Sequence, residues 1–310
     1  RFAFQFPVER NRVLDPAGGR SDTGAAQQWM LWQLCDSGMP TGGFAHSGGL
    51  EAAAAQGIVR ENHTGSLLRF VRGTLANACS LQLPLVREAL RGDSLDAWLE
   101  VDSVAHACIT AEAARRASLA QGAGLLRAAQ AMFPLDEISG VIVSEFRALV
   151  REGAAFQGLE LPVICARQHH QGTDAPTTTL HGQEARRVAH GHHAPAFGVV
   201  CRALGVGERQ AARAFMFLVA RDVLSAATRL SLVGPLEAGR IVSSLAGYVE
   251  ELSAMGEAGD ASRREEGAGG RELQEAGGGG AVMGRVCQVD PVQDIVQGLH
   301  DRLYSRMFNS

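Results

Sequence analysis

An all-α fold, a single-domain bundle of about ten helices, is what this sequence predicts, and three observations predict it. Apolar residues recur at i, i+3/i+4 and i+7 in one segment after another. No alternation of strand and helix patterns runs through the chain. An apolar fraction of 46% over 310 residues suffices for a sizeable buried core.

The elements follow in order. Residues 1–26 carry neither a helical period nor a secretory apolar run and read as a flexible tail ahead of an all-helical domain over 27–310. Gln27 to Cys35 gathers Trp29, Met30, Trp32 and Leu34 into a short apolar helix. It stops at a stretch from Cys35 to Glu51 holding five glycines and Pro40, a density of turn residues that shapes a surface or a site. Leu50 to Gln56 restarts helix. Thr64 is the expected N-cap of a helix with Leu67, Leu68, Val71, Leu75 and Ala78 on one face, which Pro84 breaks or restarts. Ser94 caps a segment carrying Leu95, Trp98, Leu99, Val101 and Ala105. Thr110 to Phe133 is alanine-rich, and Gly122 and Gly124 make it two helices or one kinked helix. Its Arg115, Arg116, Ser118, Gln121 and Gly122 read as a solvated face with tight helix packing. Ile138 to Val150 is short and β-branched enough to leave a strand open.

Residues 168–183 have loop composition and read as an insertion. Ala194 to Leu204 and Gly207 to Leu230 are helical, the second apolar all round its centre, with Arg221 and Asp222 half-buried or presented to a partner. After Gly234-Pro235, a stripe of Ile241, Val242, Leu245, Tyr248, Val249 and Leu252 makes the next helix. Residues 256–285 are Gly, Glu, Arg and Ala, too poor in apolar groups to order. Asp290 then caps a docking helix over 290–308, with Pro291 at its first position and Val292, Ile295, Val296, Leu299, Leu303 and Met307 as its inward stripe.

Composition excludes several functions. A net charge of -4 and a pI near 6.2 give no footprint for nucleic acid or an anionic membrane, and no apolar run reaches membrane-spanning length. All 29 basic residues are arginine, so no lysine is available for a P-loop or a Schiff base. The six cysteines stand singly, without a C-x-x-C pair, and read as reduced, mostly buried thiols of a cytoplasmic protein.

Two constellations could carry chemistry. Ala45-His46-Ser47-Gly48-Gly49 has the form of a serine hydrolase elbow, with Asp222 or Asp290 and then His300 as partners in chain order, although a helix and not a strand precedes it. Six of the ten histidines fall between His169 and His193, and His190, His192 and His193 are weak candidates for direct nickel carriage. Neither pattern has a diagnostic spacing.

Three separated blocks resemble the UreF family of urease accessory proteins, in particular its eukaryotic, plant-type branch. The first is Asp36-Ser37-x-x-Pro40-Thr41-Gly42-Gly43-Phe44-Ala45-His46-Ser47-x-Gly49-Leu50-Glu51. The second runs from His193 to Gly198 and resumes with Arg221-Asp222 up to Arg229-Leu230; the third is Pro291-x-x-Asp294 followed by Leu303-Tyr304-Ser305-Arg306-Met307-Phe308-x-Ser310. The segment Ser231 to Leu236 departs from the P-L-G-Q form of many bacterial members, and Met307 stands for the usual leucine. The resemblance implies a non-catalytic, dimerising protein with no stably bound cofactor. It implies binding to a second accessory protein, UreD/UreH, and recruitment of the GTPase UreG to apo-urease, with nickel handled by the complex. Expected partner-binding residues are Thr41, Gly42, Gly43, Phe44, His46, Ser47, Gly49 and Glu51 in the turn, Arg221, Asp222 and Arg229, and the anchors Arg302, Tyr304, Arg306 and Phe308.

Overall fold

The structure, a computed structural model, describes residues 23–61, 63–133, 135, 137–156, 188–255, 284 and 286–310. Most of the expected tail, the 168–183 insertion and all of 256–285 except Gly284 lie outside these residues, as do His169, His170, His181 and Cys165. Among the described residues every regular element is helical. The helices are α1 (Thr23–Cys35), α2 (Leu50–Ala55), α3 (Thr64–Asn77), α4 (Leu83–Arg91), α5 (Leu95–Cys108), α6 (Glu112–Met132) and α7 (Glu137–Phe156). They continue as α8 (His193–Ala203), α9 (Glu208–Arg229), α10 (Pro235–Ser244), α11 (246–255) and α12 (Pro291–Leu299).

The bundle is built around α8, whose residues from Ala194 to Cys201 are all buried. It packs chiefly against α4 and α6, with α5, α7 and α9 completing its surround. Close packing here depends on missing side chains. A Cβ on Gly198 would stand 2.4 Å from the Val86 carbonyl of α4, and one on Gly122 of α6 would stand 2.0 Å from the Gly191 carbonyl. Gly122 and Gly124 therefore let other backbone approach α6, which runs unbroken through both instead of splitting or ending there. The polar face beside them is packed, since Ser118 accepts from the His193 amide at 3.1 Å and contacts His192 Nδ1 at 3.1 Å.

Several other boundaries differ from the sequence reading for identifiable reasons. His63, not Thr64, caps α3, its Nδ1 accepting from the Ser66 amide, while the Thr64 hydroxyl reaches Glu237 at 2.6 Å. Ser94 caps α5 as expected. A π-helical turn (Ala78–Gln82) joins α3 to α4, so Pro84 interrupts nothing. Pro84 has no N–H to return toward Ser80, and the Ser80 carbonyl accepts from Cys287 instead. Ile138 to Val150 lies within α7 and is not a strand. The stripe beyond Pro235 is divided at Leu245 into α10 and α11. Cys79 and Cys201 are buried, Cys35 and Cys108 half-buried and Cys287 exposed, all as free thiols.

The largest difference is at the end. The expected helix over 290–308 stops at Leu299, a short 3-10 turn covers His300–Arg302, and Leu303 turns to extended geometry. The buried residues of α12 are Gln293 and Val296, and Val292 and Ile295 face outward. Polar partners cause this reversal. Gln293 Nε2 donates to the Phe70 carbonyl and Thr74 Oγ1, and Asn77 binds the Asp290 backbone in both directions.

Gly198→Ala is expected to destabilise the protein by about 1–3 kcal/mol in urea denaturation, because the added methyl meets α4 backbone. Gly239→Ala, in open space on α10, is expected to stabilise by about 0.5–1 kcal/mol.

Candidate functional site

The glycine-rich stretch folds as a compact turn between α1 and α2. Asp36 Oδ1 accepts from the Gly38 amide at 2.5 Å, and Thr41 Oγ1 accepts from the Gly43 amide at 3.4 Å. Gly42 and Gly49 take φ of 85°, where a side chain is strained. Gly49 is doubly constrained, since a Cβ there would meet Gln297 of α12 at 2.7 Å.

Across this turn lies the closing segment of the sequence. Glu51, buried at the start of α2, accepts from the Met307 amide at 2.5 Å and the Phe308 amide at 3.1 Å, and His300 Nε2 lies 3.2 Å from the same carboxylate. The Asn309 amide donates to the Ala45 carbonyl at 2.8 Å. Ser47 gives both its amide (2.6 Å) and its hydroxyl (3.0 Å) to the Ser310 carbonyl, and His46 Nδ1 meets Ser310 Oγ at 2.6 Å. Gln297 Nε2 donates to the Gly48 carbonyl. Burial, with the charges of His300 and Arg116, depresses the His46 pKa, so its ring is neutral near pH 7.

The end of α9 supplies the third side. Arg221 holds Asp222 through Nε and Nη2 and donates from Nη1 to the Cys35 carbonyl at 2.6 Å. Burial raises the Asp222 pKa while Arg221 and Arg229 oppose the rise. One turn or two further on, the Arg229 guanidinium is stacked between Phe44, 3.8 Å from the ring centroid, and Phe308, at 4.2 Å. His193, half-buried against Phe197 and Phe215, has its pKa pushed down by burial to about 4.

A model of the family described as UreF matches residues 62–246, more than half of the sequence. The chain belongs to the UreF family. Urease accessory protein F of Arabidopsis thaliana is 32% identical to it, covering 94% of this chain and 95% of that protein. Urease accessory protein F of Oryza sativa subsp. japonica is 34% identical over 90% and 84%, and urease accessory protein 6 of Cryptococcus neoformans is 27% identical over 92% and 98%.

In this UreF-family chain the three blocks that carry the resemblance meet at one place. Phe44, His46, Ser47, Gly49, Glu51, Asp222 and Arg229 all line it, with Thr41, Gly42 and Gly43 shaping the turn. Their contacts are internal, however. Ser47 and Glu51 are buried under the closing segment, and Phe308 is only 4% exposed. Expected directions reverse at the end: Met307 is 61% exposed where an inward residue was predicted. Arg302, Tyr304 and Arg306 do face outward, Tyr304 completely.

The relatives bear the names of accessory proteins, not of enzymes. Ser47 is no exposed nucleophile, because its hydroxyl is buried and donated to Ser310; Asp222 is held by Arg221, His300 faces Glu51, and Asp290 lies by Asn77. The three candidate metal histidines also part company. His190 stacks on His106 with centroids 3.7 Å apart, and His192 Nε2 is 3.1 Å from His106 Nδ1, whereas His193 sits against Phe197 and Phe215. Among the described residues no group of three or more His, Cys, Asp or Glu is arranged to hold a metal ion. The sequence reading missed Gln293, Gln297 and His300 as inward anchors. Their signal was a polar stripe at i, i+4, i+7 along α12 and into the 3-10 turn after it, legible only against a polar surface.

Glu51→Ala leaves two amides and His300 unpaired and is expected to destabilise by about 2–4 kcal/mol in urea denaturation. Phe308→Ala should cost about 3–5 kcal/mol, against less than about 1 kcal/mol for the exposed Phe44→Ala. Burial pushes His192 down to about 3 from 6.5, so below pH 6.5 the unfolded chain binds the proton that the folded chain refuses. Its contribution therefore lowers stability as pH falls from 6.5 toward 3. His192→Asn should shrink the stability loss between pH 7 and pH 5 by about 2 kcal/mol, read from urea midpoints at the two pH values.

Proposed function

We propose that this chain is a non-catalytic scaffold in urease maturation, which with a UreD/UreH-type accessory protein recruits the GTPase UreG to apo-urease for nickel insertion. The names of its relatives, urease accessory proteins, support the maturation role. One observation carries the choice of surface. The arm over 286–310 is docked by polar groups together with Val296 and Phe308, and it turns four other apolar side chains outward: Val292, Ile295, Tyr304 and Met307 are all exposed, flanked by Arg302 and Arg306. Arg and Tyr beside aliphatic groups on a fixed backbone are the composition of an interface hot spot. This face is the one that the accessory protein covers.

A homodimer fits a second face. Trp29 and Trp32 of α1, edge to face at 5.7 Å, are exposed, as is Phe217 of α9, the helix on which α1 packs. No metal is held stably by the chain itself in this account; nickel passes through the assembled complex. A cytoplasmic site of action accords with the described helices, none of which is long and apolar enough to cross a membrane.

Co-expression with UreD/UreH tests the surface. Tyr304→Ala combined with Ile295→Asp should leave helix content unchanged by circular dichroism and reduce co-purification of the accessory protein at least about tenfold, the loss of one hot-spot residue. Equal recovery with variant and wild type would sink the assignment.

A further inference from the structure

We propose that the glycine-rich turn is a sequence-reading groove for a bent peptide of the form Phe-x-Ser, and that residues 307–310 are its resident ligand. The proposal goes beyond the partner reading, because it concerns what the groove recognises and not what the outer face of the arm binds.

Recognition begins at the backbone. The amides of Met307, Phe308 and Asn309 and the carbonyl of Ser310 are each taken by the groove, through the two carboxylate oxygens of Glu51, the Ala45 carbonyl, and the amide and hydroxyl of Ser47. Capture of main-chain groups gives a peptide site its affinity, and pockets for individual side chains give it its specificity. Buried polar side chains make the site: Glu51 and Ser47 are directed at the segment from inside the fold.

Side-chain burial then alternates along the segment. Phe308 enters the fold beneath the Arg229 guanidinium, and Ser310 Oγ meets His46 Nδ1. Met307 and Asn309 point away and are exposed. The groove therefore reads the first and third positions of Phe-x-Ser and ignores the middle one. The ligand is also separable from the body. Residues 304–306, which lead into it, are exposed, and no helix crosses from α12 into the groove.

A tethered ligand enjoys an effective concentration of about millimolar order, so a free peptide competes only when the resident segment is weakened. The test uses the full chain and a fluorescein-labelled peptide of the sequence 303–310, read by anisotropy. Wild type should show no saturable binding, whereas a chain carrying Phe308→Ala and Ser310→Ala should bind. Alanine at the Phe308 or the Ser310 position of the peptide should weaken that binding at least about tenfold, and alanine at the Asn309 position less than about twofold. Adding Glu51→Ala to the chain should abolish it. Hydrogen exchange on wild type supplies an independent readout that needs no variant: the amides of 307–309 should open faster than those of α8 and α9. Equal binding by wild type and the Phe308/Ser310 variant, no binding by that variant with its thermal transition intact, equal damage from the Asn309 and Phe308 changes, or exchange of 307–309 only with global unfolding would each overturn the proposal.

Discussion

The Glu51 carboxylate is the interaction on which the arrangement of the site depends. A carboxylate enclosed in the fold must be hydrogen-bonded or it destabilises the structure by several kcal/mol. Here its partners are two successive amides and a buried imidazole, all from the far end of the sequence. That requirement explains why helix gives way after α12. The Met307 and Phe308 amides turn to Glu51 instead of to carbonyls four residues back, and the chain bends at Met307 and Phe308 to let them do so. Phe308 is then delivered beneath Arg229, which ties the end of α9 into the same unit.

A second buried carboxylate works by the same principle. Asp102 of α5 accepts from the amides of His190, Gly191 and His192 at 2.5, 2.9 and 2.8 Å and so fixes the approach to α8. Burial raises its pKa while those three amides hold it down. The Gly191 carbonyl thereby lands on Gly122, where no side chain could be accommodated. Two acids thus place the two non-helical stretches that flank the central helix and the turn. Apolar burial around α8 drives the collapse, and these polar locks select one arrangement of the loops.

Much of the fold was legible because helical periodicity reports apolar burial directly. The Ser94 cap, the apolar centre of α9 and the family likeness of three blocks were all readable, and the structure brings those blocks together. What escaped the sequence was direction wherever burial is set by paired polar groups. Val292, Ile295 and Met307 have the right spacing for an inward stripe, yet Gln293, His300 and Phe308 occupy the interior. Periodicity cannot foresee that reversal, since it depends on Asn77, Thr74 and Glu51 lying opposite. The role of Ser47 was hidden in the same way, as a donor to a residue more than 260 positions away.

A double-mutant cycle on Glu51→Ala and Phe308→Ala, measured by urea denaturation, tests most directly whether the carboxylate and the buried ring form one unit. Because Glu51 holds the Phe308 amide that positions the ring, the two changes together should destabilise by at least about 1 kcal/mol less than the sum of the single changes. Additivity within about 0.3–0.5 kcal/mol would mean that the ring is held without the carboxylate, and would contradict the account.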